Sequence, residues 1–214
     1  MTAVLVSQLA TSSLNIATHR VGTSWEWYII RAAGFTAAAL VILLMLSGIG
    51  QVTGLTYRFL EPVKAWTLHK AMAIALCFSI FIHVSFLLLD HFVSFNIWQL
   101  LIPFRSHYNN GTTFAGMALG SLAISFGILA MYGVVIIVLS SLGWIDTHKK
   151  AWRWLHYLSY AVFVLMFLHG VYAGTDLRYG SFRLGWIILG LIIIIGIASR
   201  LRRAGSLSET DSSD

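Results

Sequence analysis

The sequence predicts an all-α fold: a polytopic membrane bundle of five transmembrane helices plus a short interfacial helix. Two observations predict it directly. Of the 214 residues, 58% are hydrophobic and only 10% are charged, a balance too apolar for a soluble domain. Apolar runs also recur, at about residues 28–50, 66–89, 114–142, 152–174 and 182–197, as spans of ~30 Å of hydrocarbon do. A third observation concerns charge. The formal net charge is +6, and the basic residues gather between the spans, which reads as loop charge facing the cytoplasm and not as nucleic-acid binding.

The chain divides into an N-terminal arm (1–24), a membrane domain (25–203) and a tail (204–214). The arm mixes short apolar pieces with Gln8, Ser12, Ser13 and Asn15. It lacks the basic start and long apolar core of a signal peptide and is expected to be interfacial or disordered. Trp25, Trp27 and Tyr28 suit an aromatic belt at the start of the first span. Arg31 lies one turn inside, read first as a side chain snorkelling to the interface and second as a partner for a buried anion. Pro62 suits the first turn of the second helix. Asp90 and His91 end that span, and they read as a solvated interfacial pair before a docking point. The apolar stretch 92–104, closed by Pro103, is too short to cross and is read as the surface helix. Asn109-Asn110-Gly111 marks a turn. Gly116 and Gly120 form a GxxxG, a weak signal for close helix approach. The fifth span ends in Arg200, Arg202 and Arg203, and the small, polar, acidic tail is expected to be disordered. Cys77 is the only cysteine, so no internal disulfide is available.

Five spans put nine basic residues on one side: Arg58, Lys64, Lys70, Lys149, Lys150, Arg153, Arg200, Arg202 and Arg203. Five lie on the other: Arg20, Arg31, Arg105, Arg178 and Arg183. The excess should face the cytoplasm, which places the N-terminus outside and the C-terminus inside.

The second and fourth spans carry two histidines each, His69 and His83, then His156 and His169, with separations 83 − 69 = 14 and 169 − 156 = 13. Histidine in hydrocarbon is costly unless it faces the bundle interior and has a partner. The two spans run parallel, so His69 and His156 share one depth and His83 and His169 another. Each pair can give two axial imidazoles to one heme iron, and the levels are ~20 Å apart at 1.5 Å per residue. A bis-imidazole iron has no open position and suits electron transfer. Azimuth is less simple: a 14-residue step falls about 40° short of whole turns, and a 13-residue step about 140° short. An ideal helix does not account for the second spacing. Lys70, Lys149, Lys150 and Arg153 near the inner pair, and Arg31, Arg105 and Arg178 near the outer, are candidate propionate partners beside their simpler role as interfacial charges. Trp66, Trp152 and Trp154 read as belt residues, one of them near enough to stack at the inner level. His19, His91, His107 and His148 are weaker candidates. A non-heme protein that uses the four histidines for proton transfer or packing remains the alternative.

Trp66-x-x-His69-Lys70, a second histidine 14 residues on, then Trp154-Leu-His-Tyr-Leu-Ser-Tyr160 and His169-Gly170, resemble the ferric reductase-like transmembrane domain over about 28–203. That family includes ferric reductases, NADPH oxidases and the bacterial heme-binding membrane subunit of the periplasmic methionine sulfoxide reductase system. The 14 and 13 spacings match the oxidase pattern. The resemblance implies two b-type hemes, the inner on His69 and His156 and the outer on His83 and His169. It implies an integral protein of a bacterial plasma membrane that passes electrons to an outer-side acceptor or partner oxidoreductase. Direct reduction of ferric iron or oxygen at the outer heme is the alternative. Unlike the oxidases, this sequence has no G-x-G-x-x-G after a strand. The expectation is therefore a separate donor: a flavoprotein, a ferredoxin or quinol.

Overall fold

The computed structural model describes residues 25–211 apart from 92, 110, 112, 115, 116, 178 and 179, and the backbone alone over 201–211. The expected N-terminal arm, Gly116 of the GxxxG, Arg178 and the last three residues lie outside the described residues. Five long helices carry the fold: α1 Trp25–Thr53, α2 Pro62–Leu89, α4 Leu119–Gly143, α5 Lys149–Ala173 and α6 Ser181–Asp211. All five include segments long and apolar enough to cross a membrane. A five-residue helix, α3, spans Ile97–Leu101, and short 3-10 turns occupy Thr56–Arg58 and Thr175–Leu177.

Local chemistry explains several boundaries. Pro62 is the first residue of α2, where its missing N–H removes nothing the helix needs. Gly54, at φ +77°, makes the turn after α1, a conformation costly for a residue with a Cβ. α3 opens with a capping box: the Asn96 side chain accepts from the Gln99 N–H, and the Gln99 side chain accepts from the Asn96 N–H, both at 3.0 Å. The surface helix therefore occupies only five residues within the apolar stretch 92–104. The third span begins later than expected. Thr113 and Phe114 pair with Ala118 and Met117 in a short antiparallel ladder, β1 and β2, and α4 starts at Leu119. α6 runs on to Asp211, past the expected end at 197 and through most of the segment read as a disordered tail.

α1 packs along α2, α4 packs along α5, and α6 lies against α1 and α5. The core joins all five long helices through Val41, Met45, Leu76, Val134, Phe163 and Ile193. Many large apolar side chains face outward, among them Phe78, Phe81, Leu139 and Ile195. That is the pattern of a bundle whose solvent is lipid and whose backbone polar groups are satisfied within each helix. The protein is thus an all-helical integral membrane bundle apart from the small ladder.

Candidate functional site: two histidine pairs between α2 and α5

His69 stands seven residues after the first residue of α2 (69 − 62 = 7), and His156 seven after the first of α5 (156 − 149 = 7). Equal offsets in parallel helices give equal depth. The structure brings the two rings together, centroids 6.3 Å apart and planes at 48°. One level away, His83 and His169 stand 6.5 Å apart with planes at 89°. Leu76 lies midway between the histidines of α2, and Phe163, 1% exposed, near the midpoint of α5, so packed apolar side chains separate the two levels.

The imidazoles are held by their second nitrogens. His83 Nδ1 is 2.9 Å from the Ile30 carbonyl oxygen of α1, and His169 Nδ1 is 2.7 Å from that of Ala123 on α4. A carbonyl only accepts, so each Nδ1 carries the proton and, in the neutral ring, each Nε2 keeps a free lone pair. His69 Nδ1 lies 3.2 Å from Ser47 Oγ, which also accepts from the Gln51 amide. His156 is the exception: its buried Nδ1 has no hydrogen-bond partner among the described residues. His156 sits beside the Trp152 ring, with centroids 5.2 Å apart, and the Trp152 Nε1 donates to Ser141 Oγ at 3.0 Å.

These residues fit an iron held between paired imidazoles. With metal–nitrogen distances of about 2.0 Å and each nitrogen ~1.1 Å from its ring centre, two collinear axial imidazoles have centroids ~6.2 Å apart. Both observed separations agree with that value. Among the described residues no group of three or more His, Cys, Asp or Glu side chains is placed to bind a metal ion. A site with only two protein ligands suits a macrocycle that brings four of its own. At the inner pair a partly open cavity of about 310 Å³ lies between the helices.

The surroundings correct part of the expected charge pattern. Lys70 and Arg153 line the inner cavity, whereas Lys149 and Lys150 are exposed at the start of α5 and are not in its lining. Arg200, not singled out for this site from the sequence, lines it too. Its guanidinium lies over the rings of Tyr157 and Tyr160, 5.5 and 5.6 Å from their centroids, and donates to the Tyr160 hydroxyl. Trp66 and Trp152 also border the cavity, while Trp154 is 77% exposed and fits the belt role alone. Arg31 neither snorkels freely nor stands ready for another anion. It grips Asp176 with two parallel hydrogen bonds, from Nε to Oδ2 at 2.9 Å and from Nη2 to Oδ1. Asp90, expected to be solvated, is buried, and its Oδ2 accepts from the Val93 N–H. Arg105 and His91 are exposed.

Five apolar helices that enclose two levels of paired histidines define an integral membrane protein built around two matched imidazole sites. The chain belongs to the family described as ferric reductase like transmembrane component, which matches it over residues 33–167. This family places the chain in transmembrane electron transfer, and its domains generally bind heme. The match includes His69, His83 and His156 and stops two residues short of His169. No curated protein and no solved structure matches the chain.

Proposed function

We propose that the protein carries electrons across the membrane through two b-type hemes, one between His69 and His156 and one between His83 and His169. The observation that carries this reading is the pair of centroid separations, 6.3 and 6.5 Å, repeated at two depths. Bound at each pair, heme supplies a one-electron couple with no vacant position on the iron. The chain's own residues do the rest. Ile30 and Ala123 carbonyls orient His83 and His169, and Ser47 orients His69. Lys70, Arg153 and Arg200 offer positive charge to the carboxylates of the inner group. Leu76, Val162 and Phe163 keep water from between the levels, which lie ~20 Å apart by helix rise.

Electrons enter on the side of His69 and His156, which the basic residues assign to the cytoplasm, and leave on the side of His83 and His169. The donor is a separate flavoprotein, ferredoxin or quinol, and the acceptor is an outer-side partner oxidoreductase. The test uses sealed vesicles that hold a reduced dye and face a membrane-impermeant oxidant. The heme-loaded protein should oxidise the dye, and His83→Ala or His169→Ala should slow that oxidation to the rate of empty vesicles. Equal rates with and without the loaded protein would overturn the reading.

A further inference from the structure

In an α-helix the carbonyl of residue i faces the amide of residue i+4. A second donor can reach that carbonyl only where nothing projects over it. His83 reaches the carbonyl of Ile30, and the residue four places on is Gly34. His169 reaches the carbonyl of Ala123, and the residue four places on is Gly127. A Cβ on Gly34 would stand 3.2 Å from both Cε1 and Nδ1 of His83. On Gly127 it would stand 2.6 Å from His169 Nδ1 and 2.8 Å from its Cε1. The same arrangement thus occurs on two different helices, α1 and α4, against the two members of one pair.

The inner pair is built differently. Gly48 lies against His69, and 48 − 34 = 14 repeats the 14-residue spacing of His69 and His83 on the antiparallel neighbour. A Cβ there would meet His69 Cε1 only at 3.7 Å, an ordinary contact. His69 uses the Ser47 hydroxyl, and His156 has no Nδ1 partner among the described residues. The ring planes differ accordingly, 89° at the outer pair and 48° at the inner.

We infer that Gly34 and Gly127 are positioning residues for the outer site. By lacking a Cβ they open the Ile30 and Ala123 carbonyls to His83 and His169, which fixes both imidazoles by Nδ1 and sets their planes at right angles. This rests on the two-heme reading. Carbonyl bonds of this kind orient a ligating imidazole and raise its basicity, and their loss commonly lowers metal affinity ~10- to 100-fold. Ferric low-spin iron between perpendicular imidazoles also gives a more anisotropic electron paramagnetic resonance signal than iron between rings nearer to parallel.

The experiment compares the full-length, heme-loaded protein with Gly34→Ala, Gly127→Ala, Gly48→Ala and Gly185→Ala. At Gly185 an added Cβ meets nothing within 4 Å, so that variant controls for the substitution itself. The readouts are heme per chain and the low-temperature resonance spectrum, with the outer signal identified by its absence from His83→Ala. Gly34→Ala and Gly127→Ala should shift or lose the strongly anisotropic outer signal and lower outer occupancy, with the inner signal unchanged. Gly48→Ala and Gly185→Ala should keep both signals. If Gly127→Ala also loses the inner signal, it has misfolded, and Gly34→Ala, whose contact is less close, decides. An unaltered outer signal and full occupancy in Gly34→Ala would overturn the role of the glycines and leave the two-heme reading standing. A wild type that binds no heme would overturn the reading itself and this assignment with it.

Discussion

Arg200 joins three elements of the inner site in one side chain: it borders the cavity, covers two tyrosine rings and donates to Tyr160. A guanidinium so held is a fixed charge, and lysine reproduces neither its planarity nor its stacking. Arg200→Ala should therefore lower occupancy of the inner heme several-fold, and Arg200→Lys should restore it only in part. Heme per chain and the reduced-minus-oxidised spectrum check this, and unchanged occupancy in Arg200→Ala would remove the residue from the site. The sequence showed the four histidines because each is a costly residue inside an apolar run. It did not single out Arg200, which lies 44 positions after His156 (200 − 156 = 44) and looks like any other charge that ends a span. Nor did it reveal Asp176 as the partner of Arg31, since two residues 145 positions apart carry no mutual signal. The glycines were legible in principle, because Gly34 and Gly48 repeat the spacing of His83 and His69. That repeat acquires meaning only once α1 and α2 are known to lie antiparallel.

At the scale of the element, the 13-residue step on α5 is the feature that ideal helix geometry left unexplained. α5 is continuous from Lys149 to Ala173, so no break in the helix absorbs the mismatch. The rings absorb it. Both rings reach α2, His156 beside His69 and His169 beside His83, but His169 Nδ1 also finds the Ala123 carbonyl of α4, whereas His156 Nδ1 finds no acceptor among the described residues. Helix starts were readable where one residue dictates them, as at Pro62. They were not readable at Thr113 and Phe114, which suit an extended ladder as well as an apolar helix. The Arg31–Asp176 pair ties α1 to the turn between α5 and α6. Both side chains are partly exposed, 37% and 28%, so solvent screening keeps the pair's contribution to about 1 kcal/mol. Arg31→Ala and Asp176→Asn should each lower thermal stability in detergent by a similar small amount. The double variant should lose no more than either alone. Additive losses would mean that the two residues do not act as a pair.

For the whole molecule, the arrangement of apolar surface and charge is what composition alone made visible. The outward-facing Phe78, Phe81, Leu139 and Ile195 and the five spanning helices follow from a hydrophobic sequence that must satisfy its backbone within each segment. The direction proposed for the bundle rests on the basic residues, nine against five. The C-terminus should therefore be cytoplasmic and the N-terminus outside. A reporter fused after Asp214 that is active only in the cytoplasm should be active. An active reporter that works only outside would reverse the orientation and with it the direction proposed for the electrons.

The most direct measurement is a count of heme in the purified protein, by absorption spectra of the oxidised and dithionite-reduced forms and a pyridine hemochromogen assay. Two low-spin b-type hemes per chain are expected in the wild type, and one, the inner, in His83→Ala and His169→Ala. A well-folded wild type, expressed with heme supplied, that showed no heme absorption would contradict the two-heme reading and leave the four histidines to proton transfer or packing.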